Sequence, residues 1–471
     1  MSGSITVGIR HNPPVKRWFG ALLATVLACI PLLLHRSSHQ SLLADSDTKV
    51  LLETIRHRNA PLSWFTGDWP LQNHFYRPIS TLSFELDNRL YGSNAAGYGL
   101  TNALLCVACV LLLFWFLREL TDNPILSGTA SVLFAFQHVG LQDAFLIWIN
   151  PLIALTIIIG LIRHRSKVRN WLPACLVLTY CAVEIGVVEI TAYGSLGAGT
   201  IGWLPGRTAT VMTVFALAAM ASYARYERLS AERTLLEPSP LDPPATKSRK
   251  ETKSASRLTW GWVVFSVICL ACALGSYEQA VMLPAALLAV AVTMRSNRFK
   301  VRWLWQVAFW SLLVGYLVLR KAIIPAGASS YQLQQFRNGP GVRLALFSYS
   351  LPFLNGINGF LANADSGMLM LVTTGPYLFF LAAASNLTAF YQARRRWVFA
   401  LAGYGISIIT FLPMAWVKPF AHYHYWPLAM RSLFTGTLLW VAAELLVTAW
   451  SPQSFRAPQR LSPAPGSLPR P

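Results

Sequence analysis

Apolar stretches of roughly 18 to 22 residues recur along the chain between short polar segments, each long enough to cross a hydrocarbon core of ~30 Å as a helix. They predict about twelve spans, at residues 18–35, 98–118, 124–141, 144–162, 171–190, 208–225, 259–276, 279–294, 303–320, 366–390, 398–416 and 427–449. A membrane barrel would instead show short strands of alternating polarity. The predicted fold is all-α, a polytopic helical membrane protein whose large first external loop carries amphipathic helices.

Composition agrees with that class, because 54% of the residues are hydrophobic and only 12% are charged, with a mean hydropathy of +0.45. The net charge of +20 would suit nucleic acid if it lay on one folded face, but the cations lie between apolar spans, so nucleic acid is not an expected partner. They report orientation instead. With the N-terminus in the cytoplasm, Arg10/Lys16/Arg17, Arg163/Arg165/Lys167/Arg169, the 225–257 segment, Arg295/Arg298/Lys300/Arg302, Arg394/Arg395/Arg396 and the tail all fall inside. That side then holds about two-thirds of all Lys and Arg, as the positive-inside rule requires. Loops 36–97, 191–207, 321–365 and 417–426 face outward, and both termini are cytoplasmic.

The chain divides into a cytoplasmic N-terminus (1–17), an N-terminal membrane module (18–236), a Pro-rich and basic cytoplasmic linker (237–258), a C-terminal membrane module (259–450) and a Pro-rich, disordered tail (451–471). No small-x-small site closes the first apolar stretch, so it reads as a retained span, not a cleaved leader. All seven cysteines lie inside apolar stretches, where the two Cys-x-x-Cys pairs lack the converging ligands a zinc site needs. Asn386-Leu387-Thr388 fits a glycosylation sequon but falls in or beside a span.

Candidate chemistry concentrates in the first outer loop. Asp45 and Asp47 follow the first span closely, with Trp64, Phe65, Trp69, Phe75 and Tyr76 interleaved among further acids. An acid fixed near the membrane surface can serve as a base, and aromatic rings with one polar edge suit both the interface and a sugar face. Either acid equally suits the N-cap of the helix predicted over 48–55, and Arg77 before Pro78 equally suits an interfacial anchor. Arg207, Arg320, Lys321, Arg337, Arg343 and Lys418 lie in outer loops, where a lipid phosphate or the headgroup layer would hold them. Glu184 and Glu189 fall toward the outer end of a span, and such acids usually face a cavity. His422 and His424, beside Tyr423 and Tyr425, suit donor contact or a divalent metal, although no third ligand is evident.

Several blocks share one resemblance. Phe75-Tyr76-Arg77-Pro78-Ile79-Ser80, then Leu86-Asp87, Gly92 and Gly97-Tyr98-Gly99-Leu100-Thr101-Asn102, resembles the first external loop and second helix of TPR-associated O-mannosyltransferase-like proteins of the C-type glycosyltransferase (GT-C) superfamily. Trp203-Leu204-Pro205-Gly206-Arg207-Thr208 resembles that group's Trp-x-x-Gly-Arg-Thr loop. Ser276-Tyr277-Glu278 through Leu283-Pro284 resembles its Ser-Lys-Glu…Leu-Pro block, and His424-Tyr425-Trp426-Pro427 its aromatic Tyr-x-Tyr-x-Pro segment.

The resemblance implies an acid after the first helix and a polyprenyl- or dolichyl-phosphate sugar donor. By position Asp45 or Asp47 is that acid, and Tyr76, Asp87, Trp203, Glu278, His424 and Tyr425 are the expected substrate-lining residues. The chain departs from the pattern in several places. Gln137-His138-Val139-Gly140-Leu141-Gln142 stands where the family has His-Pro-x-His-x-Glu, Ala209 where an acid often follows Gly-Arg-Thr, and Tyr277 where Lys precedes Glu. No TPR array is present.

The expected reaction is transfer of a sugar from the lipid-phosphate donor to an acceptor hydroxyl on the outer or lumenal side. Asp47 or Asp45 would be the general base, with Arg77, Arg207, Arg320 and Lys321 on the phosphate. The expected partners are the lipid-linked donor and membrane lipids, with the acceptor unidentified. No cofactor is certain from the sequence, and a divalent metal stays open. Two other readings remain: a transporter or flippase of a lipid-linked saccharide, suggested by six spans on each side of the linker, and a catalytically silent lipid-binding relative. The resemblance favours a bacterial inner membrane over the endoplasmic reticulum.

Overall fold

The computed structural model describes residues 15–34, 36, 40–138, 196–236, 249–296, 300–350 and 394–450. Among these, every regular element is a helix, and the only β pairing is an isolated bridge between Phe336 and Val417. Among the described residues five helices are long and apolar enough to cross a membrane: Ala95–Thr121, Leu204–Glu232, Glu278–Ser296, Leu304–Ile323 and Arg396–Trp416. Trp18–Leu34, Pro124–Phe136 and Thr259–Leu274 are apolar but shorter. The expected spans at 144–162, 171–190 and 366–390 lie outside the described residues, as do Glu184, Glu189 and the Asn386 sequon.

Local chemistry sets the helix ends. Asn123 caps the Pro124–Phe136 helix through its side-chain oxygen, with Pro124 in the first turn where no amide is needed. Asp122 closes the preceding Ala95–Thr121 helix in the left-handed conformation, which Asp tolerates better than most residues. The helix expected to end near 225 continues from Arg207 to Leu236. Its extension is supported by ion pairs from Arg225 to Glu119 and from Arg228 to Asp122 and Glu232. The linker is also shorter than expected, because the next helix begins at Arg249.

The Arg207–Leu236 helix is the centre of the bundle, packing on the Ala95–Thr121 and Arg249–Leu274 helices. Its most apolar window is 89% buried, against 22% for Leu304–Ile323. The latter exposes Val307, Val314, Leu317, Val318 and Leu319, a face suited to lipid contact rather than water.

The 40–91 segment folds as helices Ser41–Ala44, Ser46–Arg58 and Pro78–Tyr91, with a 3₁₀ turn at Pro61–Thr66. It has its own core of Leu42, Leu51, Leu52, Ile55, Trp64, Trp69 and Phe84, completed by Tyr98 and Leu204 from the bundle. Sharing those two residues docks the segment on the long helices. The contact is sewn by Ile79 N donating to Gly275 O at 2.9 Å and Ser80 Oγ donating to Ser276 O at 2.9 Å. A Cβ at Gly275 would stand 3.0 Å from Ile79 Cγ1, so the close approach uses glycine.

Candidate active site

A cavity of about 260 Å³ lies where these pieces meet. Its walls include Asp47, Trp69, Asn73, Phe75 and Arg77 from the 40–91 segment, Trp203 from the turn before the central helix, Thr208 from that helix's first turn, and Tyr277, Tyr331, His422 and Tyr423 from the later part of the chain. Residues more than 370 positions apart thus line one space, which only tertiary packing achieves.

Asp45 and Asp47 have different tasks. Asp45 Oδ2 accepts from Thr48 N at 3.3 Å and from the Trp203 indole Nε1 at 3.2 Å, so it caps the Ser46–Arg58 helix and fixes the indole. Asp47, in the first turn of that helix, lines the cavity. Its carboxylate makes no hydrogen bond to a described residue, and it is exposed. Partial burial and the like charge of Asp45 both raise its pKa, so it holds a proton more readily than an ordinary aspartate.

Arg77 precedes Pro78, which begins the next helix and disfavours helical backbone at the residue before it. The guanidinium packs over the rings of Trp69, Phe75 and Tyr277 at 4.7, 4.2 and 4.6 Å. Glu278 takes its Nε at 2.9 Å and Nη2 at 2.6 Å. The remaining nitrogen, Nη1, makes no hydrogen bond among the described residues. Burial opposes the charge, but Glu278 and the surrounding tyrosines outweigh it, and the Arg77 pKa is raised. The cavity therefore sees a permanent cation whose orientation is fixed by an acid on the opposite edge.

Other expected site residues lie away from the cavity. Arg207 is fully buried, and its guanidinium donates to Asn102 Oδ1 at 2.6 Å and Tyr98 O at 3.2 Å and pairs with Asp87 at 2.7 Å. These bonds bind the 78–91 helix and the Ala95–Thr121 helix to the central one, a strut and not an open phosphate site. Asp87 is thereby a structural partner too; burial raises its pKa while Arg207 and Thr101 oppose the shift. Tyr76 donates to Phe65 O at 3.1 Å and its ring lies tilted against Tyr316 at 6.1 Å. Arg320 donates to His74 O at 3.2 Å, and Lys321 is exposed; neither lines the cavity.

The two histidines also separate. His422 lines the cavity, whereas His424 stacks on Phe411 at 5.1 Å with Tyr349 beside it. Tyr425 is buried and its hydroxyl lies 3.0 Å from His138 Nε2, which places the lone histidine of the 137–142 segment inside the bundle. Burial lowers the pKa of both His422, to about 3, and His424, to about 4. Among the described residues no group of three His, Cys, Asp or Glu converges on one point.

The sequence offered His422 and Tyr423 only beside His424 and Tyr425, for donor contact or a metal, and gave Tyr331 and Thr208 no role as walls. For His422 a signal existed, since it stands two residues from the expected His424, but spacing alone cannot say which of the two faces inward. Trp203, Asp47 and Arg77 were expected, and the structure brings these three to one cavity; Glu278 joins them through Arg77. No family model, no curated protein and no solved structure matches the chain.

Proposed function

We propose that the chain is a multi-pass membrane glycosyltransferase of the C-type superfamily, moving a sugar from a polyprenyl- or dolichyl-phosphate donor to an acceptor hydroxyl. The observation that carries this reading is the joint presence, in one aromatic-walled cavity, of an acid with no hydrogen-bond partner among the described residues (Asp47) and an arginine whose Nη1 likewise has none there (Arg77). Aromatic walls suit a sugar ring, the open guanidinium edge suits a phosphate oxygen, and the acid suits the acceptor.

In the proposed reaction Asp47 takes the acceptor hydroxyl proton as the acceptor oxygen bonds to the anomeric carbon. The bond from that carbon to the phosphate oxygen breaks, its electron pair leaving with the lipid phosphate. Attack from the face opposite the leaving group inverts the anomeric centre. Arg77 Nη1 would hold the phosphate as its charge grows, with Glu278 keeping the guanidinium in place. Asp45 supports the arrangement by capping the Asp47 helix and anchoring Trp203. The further elements of the reading are twelve spans, the 36–97 loop on the outer face of a bacterial inner membrane, and cytoplasmic termini.

The test is transfer by purified protein in lipid nanodiscs, supplied with polyprenyl-phosphate sugars and a pool of acceptors, beside Asp47→Asn. Transfer that disappears in the variant while its melting temperature holds supports the enzyme. Donor binding without any turnover by the wild type would replace it with the transporter or the silent lipid-binding relative.

A further inference from the structure

Among the polar side chains of the cavity to which the proposed chemistry gives no task, His422 is a buried imidazole. His422 is 6% exposed, in a 3₁₀ turn between two long helices. Rings surround it: Tyr423 at 4.4 Å, Trp203 at 5.0 Å, Phe420 at 5.7 Å and Tyr277 at 6.3 Å. Neither ring nitrogen makes a hydrogen bond to a described residue, although buried polar groups nearly always have a partner. Since the ring also lines the cavity, its partner is to be sought in that space.

The chemistry of the partner follows from the state of the imidazole. Burial first, then the nearby Arg77 and His424, keep the ring uncharged at neutral pH. It then offers one donor and one acceptor, the same pair that a sugar hydroxyl offers in return. A phosphate, which needs donors and positive charge, is better met by Arg77. Trp203, whose indole Asp45 holds at 3.2 Å, places a flat apolar face next to His422, where the C–H face of a pyranose can rest.

Resting on the glycosyltransferase reading, we propose that His422 is a specificity-determining residue that exchanges a hydrogen bond with one hydroxyl of the donor's sugar, while the Trp203 ring supports that sugar's apolar face. His424, stacked on Phe411 outside the cavity, has no part in it.

The experiment measures binding to full-length protein in nanodiscs of bare polyprenyl phosphate, polyprenyl-phosphate hexoses and their monodeoxy analogues, for wild type, His422→Phe and His422→Gln. We expect His422→Phe to weaken the preferred glycosylated lipid by about tenfold, as one lost hydrogen bond does, and to leave bare polyprenyl phosphate unchanged. His422→Gln, which keeps a donor and an acceptor, should recover most of the loss. One monodeoxy analogue should bind the wild type about as weakly as the parent sugar lipid binds His422→Phe, and should lose nothing further in that variant. Equal weakening of bare and glycosylated lipids would assign His422 a structural role and overturn the proposal, as would no change in either. A wild type that binds bare polyprenyl phosphate with no gain from any sugar would remove the glycosyl subsite, and with it the glycosyltransferase reading itself.

Discussion

Arg77 and Glu278 meet edge to edge, with Nε and Nη2 of the guanidinium 2.9 and 2.6 Å from one carboxylate oxygen, although 201 residues of chain separate them. The pair joins the 40–91 segment to the start of a long apolar helix. It also leaves Nη1 as the only guanidinium nitrogen without a hydrogen bond among the described residues, which makes Glu278 a positioning residue for the cation in the cavity.

Breaking this pair has a defined cost. Arg77 is 8% exposed, so Glu278→Gln leaves a buried charge without its counter-ion, a change that typically destabilises by about 3 kcal/mol. Thermal unfolding in nanodiscs should show the loss. The double variant Arg77→Met with Glu278→Leu should recover part of the stability and none of the donor binding.

Asp45→Asn separates the two acids. Asparagine is as good an N-cap as aspartate, so the Ser46–Arg58 helix should persist. Because the like charge of Asp45 helps raise the Asp47 pKa, removing it lets Asp47 ionise at lower pH. The acid limb of the transfer rate should therefore move to lower pH, while Asp47→Asn should reduce the rate by at least 100-fold at every pH. An unmoved limb in Asp45→Asn would separate it from Asp47.

Asp87→Asn tests the strut. Arg207 is wholly buried and loses its charged partner, so the variant should be destabilised by roughly 3 kcal/mol. What folds should retain the wild-type affinity for polyprenyl phosphate. A folded variant that has lost that affinity would return Arg207 to the phosphate site.

His424 gives stability a pH dependence of fixed sign. Its folded pKa of about 4 lies below the ordinary 6.5, so the unfolded chain takes up a proton first as pH falls. The associated stability is complete above pH 6.5 and is lost as pH drops from there through about 4, amounting to roughly 3 kcal/mol for a shift of that size. His424→Phe, which can keep the stack on Phe411, should flatten the fall in melting temperature between pH 6.5 and 4.

The helical membrane class was legible in the chain itself, because span length and apolarity are properties of consecutive residues. Turn chemistry at Asn123-Pro124 and at Arg77-Pro78 was equally local, so helix starts could be read there within a few positions. The central helix ran past its expected end because its polar last turns are held by Glu119 and Asp122 of another helix, which no window of sequence contains.

The candidate site was legible only as a set of residue types in the expected outer loops. Sequence left Asp45 and Asp47 as equal candidates; Trp203, 158 residues from Asp45, gave that acid a structural partner and left Asp47 facing the cavity. It grouped Arg207 with Arg77 as phosphate ligands, and packing instead enclosed Arg207 among Asp87, Asn102 and Tyr98. It favoured His424, and a 3₁₀ turn presented His422. Burial periodicity is encoded along the chain, whereas a polar side chain's role depends on which distant groups satisfy it first, and that is decided when the helices pack.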